Sequence, residues 1–169
     1  MLRVDLRELA RGPVETVGEL AADDPLFAGL DFTLTGPVRV RGRLQSAGED
    51  RYFWRGELSG QVTGECRRCL APVTVQVSAD IGALFAKDPD ALEDPDSYAL
   101  AHDATSIDLT PAVREELVLA VPRYVLCREG CRGLCPRCGH DLNAGPCGCA
   151  PIPDPRWEAL AALKGKLRG

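Results

Sequence analysis

A chain of 169 residues with 45% hydrophobic side chains has length for one core of ordinary size, or a main domain with a small appendage. It needs no cross-links merely to fold. A formal net charge of −5 excludes attachment to nucleic acid by bulk charge, and 5% aromatics excludes a broad base-stacking platform.

Residues 1–7 alternate, with Leu2, Val4 and Leu6 against Arg3, Asp5 and Arg7. This predicts a short strand, with a helix starting near Asp5 as the alternative. Val14 and Val17 suggest a further strand, and Asp23-Asp24-Pro25 marks a turn or the start of a short helix. The middle of the chain is β. Val38 and Val40 alternate with Arg39, Arg41 and Arg43 up to a turn at Ser46-Ala47-Gly48. Residues 51–63 place Tyr52, Trp54, Leu58 and Val62 on one face, where Gly56 and Gly60 predict bends or bulges. A third run carries Val73, Val75 and Val77 towards Ile81 and Phe85. Short connections between the three predict an antiparallel meander with one buried face.

Residues 87–105 are rich in Asp and Glu and read as a mobile, solvated loop. A helix is predicted over 108–120, capped by Thr110 and opened by Pro111, with Val113, Leu117 and Ala120 as its apolar stripe and Pro122 as its stop. A last helix over 152–169 starts at Asp154-Pro155 and presents Trp157, Leu160, Leu163 and Leu167. The expected fold is α+β: an antiparallel sheet or partial barrel with two or three helices. The expected organisation is a β-rich domain over 1–122, a zinc-ribbon-like cysteine cluster over 123–151, and the terminal helix.

The eight cysteines form four close pairs: Cys66 and Cys69, Cys127 and Cys131, Cys135 and Cys138, Cys147 and Cys149. The first twenty residues lack the apolar core of a signal peptide, and no run approaches the ~20 apolar residues that span a bilayer. A cytoplasmic, reducing location is therefore expected, and there paired cysteines are metal ligands rather than disulfides. A Cys-x-x-Cys turn points two sulfurs at one place, half of what tetrahedral zinc requires. Gly139 eases one such turn, and Gly148 is expected to bring Cys147 and Cys149 to one side.

Four pairs can be matched three ways. The short span between Cys138 and Cys147 favours closing 135/138 with 147/149. Cys66, Cys69, Cys127 and Cys131 then form a second site that ties a hairpin tip to the end of a helix. Two structural zinc ions are expected. A single zinc within 127–149, and iron in a rubredoxin-like site, satisfy the same ligand rules. His140 is a weaker candidate ligand, and Arg132 and Arg137 can balance thiolate charge.

No phosphate-cradling glycine loop and no Ser-His-Asp spacing is present, and two histidines leave little general-base capacity, so no enzyme activity is expected. No small-molecule substrate and no membrane partner is expected either. Arg39, Arg41, Arg43, Arg67, Arg68, Arg132 and Arg137 are candidate RNA contacts, although seventeen arginines among twenty basic residues reflect genome composition as easily as phosphate binding.

Several segments together carry a resemblance. They are Gly36-Pro37-Val38-Arg39-Val40, Glu65-Cys66-Arg67-Arg68-Cys69-Leu70, Ile107-Asp108-Leu109-Thr110 and Val113-Arg114-Glu115-Glu116-Leu117 before Pro122. The most specific is Cys131-Arg132-Gly133-Leu134-Cys135-Pro136-Arg137-Cys138-Gly139 with Asp141-Leu142-Asn143 and Cys147-Gly148-Cys149. In these the chain resembles the YceD family of large ribosomal RNA subunit accumulation proteins. The resemblance implies a role in synthesis, processing or stability of that RNA, with ribosomal RNA or a pre-ribosomal particle as partner; it supplies no catalytic residue. An adaptor that binds a basic ribosomal protein and a thiol redox sensor are the competing expectations.

Overall fold

The computed structural model describes residues 2–87, 97–150 and 156. The elements in chain order are β1 (Arg3–Asp5), α1 (Leu6–Leu9), β2 (Val14–Leu20), a 3-10 turn (Pro25–Phe27), β3 (Thr33–Leu34), β4 (Val38–Gly48), β5 (Arg51–Glu65), β6 (Pro72–Ala86), β7 (Ser97–Ala99), β8 (Ser106–Asp108) and α2 (Thr110–Ala120). The opening alternation is split between strand and helix, because the Asp5 carboxylate accepts the Arg7 N–H and caps α1.

The main sheet runs β2-β4-β5-β6-β7, with β3 also pairing to β5. β4, β5 and β6 form the expected antiparallel meander, and the path ends at β2 and β7, so the sheet is open. β1 and β8 form a separate antiparallel pair. That pair feeds α2 onto the inner face of β6. Val38, Val40, Leu44, Leu58, Val62, Val77, Ile81 and Phe85 from the sheet meet Ile107, Leu109, Val113 and Leu117 in one core.

Gly56 is not a bulge. Pairing is continuous through it, opposite Gly42, and the register shifts only between Ser46 and Gly48. The two glycines make room instead: a Cβ on Gly42 would lie 2.7 Å from the Trp54 Nε1, and one on Gly56 would lie 2.9 Å from the Trp54 ring. The indole thus lies across β5 and β4 and donates to the Thr16 hydroxyl on β2 at 3.0 Å. Thr16 is the one buried polar residue among those described.

The turn after β4 falls at residues 49–50, later than expected, with Asp50 at φ 52. Within the acidic stretch, Ser97–Ala99 is strand rather than loop; it pairs in parallel with β6, and Tyr98 stacks on Phe85 with ring centroids 5.2 Å apart. Thr110 does not cap α2. It is the first helical residue, and the Asp108 carboxylate accepts from both its N–H and its hydroxyl. The predicted helix at 152–169, with Trp157, lies outside the described residues apart from Arg156.

Two candidate metal centres

The β5–β6 hairpin ends in a knuckle. Cys66 N–H donates to the Ala71 carbonyl at 2.8 Å, and Leu70 N–H donates back to the Cys66 carbonyl at 2.8 Å. After α2, Pro122 turns the chain towards this tip, where Arg67 N–H donates to the Val125 carbonyl at 2.9 Å. Cys127 and Cys131 are thereby set against Cys66 and Cys69. The Cys66 and Cys131 sulfurs are 3.8 Å apart, and those of Cys69 and Cys127 are 3.6 Å apart. A tetrahedral ion with Zn–S bonds of ~2.3 Å spaces its sulfurs about 3.8 Å apart, so the geometry fits a four-thiolate ion.

The second group is local. Cys135 N–H donates to the His140 carbonyl, Leu134 bridges Asp141, and Gly139 N–H donates back to the Cys135 carbonyl at 2.9 Å. Cys135, Cys138, Cys147 and Cys149 converge, with each set of four sulfurs lying within 4.8 Å of one another. His140 is in neither set and contributes its carbonyl. Gly148 does not adopt positive φ; Gly145, at φ 151, does.

The two Cys-x-x-Cys knuckles share one hydrogen-bond pattern, yet the residue after the second cysteine differs. Gly139 sits at φ 72, where glycine is unstrained, whereas Leu70 sits at φ 61. Holding leucine there costs on the order of 1 kcal/mol.

The backbone N–H of Cys127 outweighs burial, with help from those of Arg68 and Cys69, and lowers the Cys66 thiol to about 6. The N–H groups of Cys138 and Arg137 likewise lower Cys135 to about 6. The neighbouring Cys69 thiol, followed by burial, pushes Cys127 up to about 12, and Cys138 does the same to Cys149. Four adjacent sulfurs repel one another as anions, so a metal-free group keeps protons that a divalent cation would displace.

Residues that spacing did not single out join the two centres. Arg68 donates to the Glu129 and Cys131 carbonyls, and its own carbonyl accepts the Leu134 N–H. A Cβ on Gly133 would stand 2.7 Å from that carbonyl. Asn143, on the loop of the second group, accepts the Arg132 N–H at 2.8 Å and donates to the Cys131 sulfur at 3.5 Å. No motif announces this role for Asn143, because it depends on two loops meeting. Asn143→Ala is expected to weaken metal retention in the Cys66-containing group about tenfold or more, measured by chelator competition on the loaded protein. Unchanged retention would remove Asn143 from the site.

The structure splits the candidate RNA contacts. On the solvent face of the sheet, Arg39 pairs with Glu19 at 3.2 Å, Arg41 with Glu57, and Arg43 with Glu15 at 3.7 Å. Their charge is offset locally. Arg67 and Arg68 lie in the first knuckle; Arg132 and Arg137 lie in the lower cluster, where Arg137 reaches the Ala150 carbonyl at 3.5 Å.

Comparison with known proteins adds the following. The family model described as Large ribosomal RNA subunit accumulation protein YceD matches residues 54–164. An uncharacterized protein of Mycobacterium tuberculosis is 34% identical over 165 residues, covering 95% of this chain and 74% of its own. The uncharacterized protein YlbN of Bacillus subtilis is 32% identical over 113 residues, 66% of this chain and 64% of its own. A protein of Zea mays named large ribosomal RNA subunit accumulation protein YCED homolog 1, chloroplastic, is 27% identical over 95% of this chain and 59% of its own. No solved structure matches.

Proposed function

Because the chain belongs to the YceD family of large ribosomal RNA subunit accumulation proteins, we propose that it is a non-catalytic factor in the accumulation of that RNA, built around two structural zinc ions. The observation that carries the structural part is the grouping of all eight cysteines into two all-sulfur sets of four. A zinc ion with four thiolates keeps no position for water or substrate, whereas a catalytic zinc keeps one. The ion's contribution when bound is to hold loops together. Cys66, Cys69, Cys127 and Cys131 would fasten residues 123–134 to the β5–β6 tip; Cys135, Cys138, Cys147 and Cys149 would close a zinc-ribbon-like loop.

A cytoplasmic site of action, at the ribosomal RNA or a pre-ribosomal particle, follows from the same reading. Among the described residues no helix is long and apolar enough to cross a membrane. Depletion of the protein from its host is expected to lower mature large-subunit RNA relative to small-subunit RNA, with recovery on re-expression. An unchanged ratio would overturn the proposal. Elemental analysis of the untagged protein is expected to find two zinc ions per chain. Affinity for large-subunit RNA fragments is expected to fall with salt, with a log–log slope of about −2 for roughly three phosphate contacts to a single strand. A flat slope would argue against direct contact with RNA.

A further inference from the structure

The strained Leu70 stands at a surface with an unusual composition. Leu70 is 59% exposed, and Tyr124, on the segment bonded to the same knuckle, is 80% exposed. The Arg67 guanidinium lies over the Tyr124 ring, 5.2 Å from its centroid, and its Nε–H is anchored on the Arg123 carbonyl. One ring face is therefore occupied by a cation, and the high exposure leaves the other face to solvent. Residues 65–70 and 123–132 hold Arg67, Arg68, Arg123, Arg128 and Arg132 against Glu65 and Glu129. The side chains of these two segments are arginine-rich on a chain whose net charge is −5, with Asp141 in electrostatic reach of Arg128. None of the ion pairs found among the described residues involves these arginines, in contrast to Arg39, Arg41 and Arg43 on the sheet.

We infer that the Cys66–Cys69 knuckle and residues 123–128 form the RNA-contacting tip of the protein. An unpaired base stacks on the open face of Tyr124, Leu70 packs against that base or its neighbour, and Arg67, Arg123 and Arg128 meet the flanking phosphates. Aromatic rings bearing a cation on one side are suited to single-stranded RNA, whose bases are free to stack. The knuckle itself does not require leucine at this position, because the second knuckle makes the same turn with Gly139. The strain and exposure of Leu70 are accounted for by a contact outside the chain. This inference rests on the RNA-related reading above and assigns it a surface.

The test uses the metal-loaded full chain with a single-stranded oligoriboadenylate and with a duplex RNA of equal length. Wild-type protein is expected to prefer the single strand. Tyr124→Ala is expected to lose about tenfold or more in affinity, while Tyr124→Phe, which keeps the ring, retains it. Leu70→Gly is expected to weaken binding several-fold without lowering the melting temperature, because glycine relieves the strained backbone. This separates contact from folding. Arg41→Ala, on the charge-balanced sheet, is expected to bind as wild type. If wild type binds and Tyr124→Ala binds equally well, this surface is wrong while the RNA reading stands. If wild type binds no RNA, but Tyr124→Ala abolishes capture of a purified ribosomal protein, the tip is a protein interface and the inference is overturned. If wild type binds no RNA at any salt concentration, the inference falls together with direct RNA contact.

Discussion

Replacing Cys66 with alanine is expected to drop the metal content from two ions per chain to one and to free residues 123–134 from the hairpin. Cys66 is fully buried, with its sulfur 3.8 Å from that of Cys131. Three sulfurs and water hold zinc far less tightly than four sulfurs do, and a structural zinc contributes on the order of 10–16 kcal/mol of apparent binding energy. Losing even part of this is large against a total stability of about 5–15 kcal/mol. A metal held by this group would also join Cys69 to Cys127 across the segment that carries β6, β7, β8 and α2. Clipping a loop of roughly 58 residues restrains the unfolded chain by about 1.5 kcal/mol more than clipping one of roughly 9.

The effect should be local at first, because the β4–β5–β6 core does not pass through the metal site. Elemental analysis should read one ion, proteolysis should cut within 123–134, and the melting temperature should fall sharply. Cys147→Ala is the matched control: it is expected to lose one ion while the hairpin tip stays protected. Two retained ions in Cys66→Ala, with no new cleavage, would show that Cys66 is not a metal ligand.

The second large effect lies in the sheet. Trp54→Ala is expected to cost about 3–5 kcal/mol, the range for deleting a buried aromatic. Trp54 is fully buried, and its indole crosses the floor left by Gly56 and Gly42. The collapse that softens some cavities is limited here, because that floor is hydrogen-bonded backbone at the centre of three paired strands. Removal also leaves the Thr16 hydroxyl without its donor in a site that is 2% exposed, adding about 1 kcal/mol. Urea unfolding of the metal-loaded protein should show the lowered midpoint with both ions retained. A loss below about 1 kcal/mol would mean that the indole does not pack as described.

Much was legible from local pattern. Alternation marked β4, β5 and β6, because a sheet with one buried face writes a period of two into its residues. Val113 and Leu117 marked α2 for the corresponding reason with a period of 3.6. The four cysteine pairs were visible as spacing, since a Cys-x-x-Cys turn is a local event. Where a residue's role depended on something distant in the chain, local reading went astray. Gly56 suggested a bulge, but it serves Trp54 and Gly42 across the strands. Ser97–Ala99 sits in an acidic stretch that predicts loop, yet the edge of β6 recruits it. Thr110 has the chemistry of a cap, but it is the first helical residue, and its N–H and hydroxyl both donate to Asp108, which the β1–β8 pair holds.

By itself, the sequence determined which residues could hold a metal: eight sulfurs in four close pairs. Only the tertiary structure decided how those pairs meet, that Asn143 and Arg68 link the two groups, and that the sheet arginines are matched by Glu15, Glu19 and Glu57 while Arg67 lies on Tyr124. The reason is physical. A turn or an alternating strand is specified by neighbours along the chain, whereas a coordination tetrahedron and a cancelled charge are specified by neighbours in space.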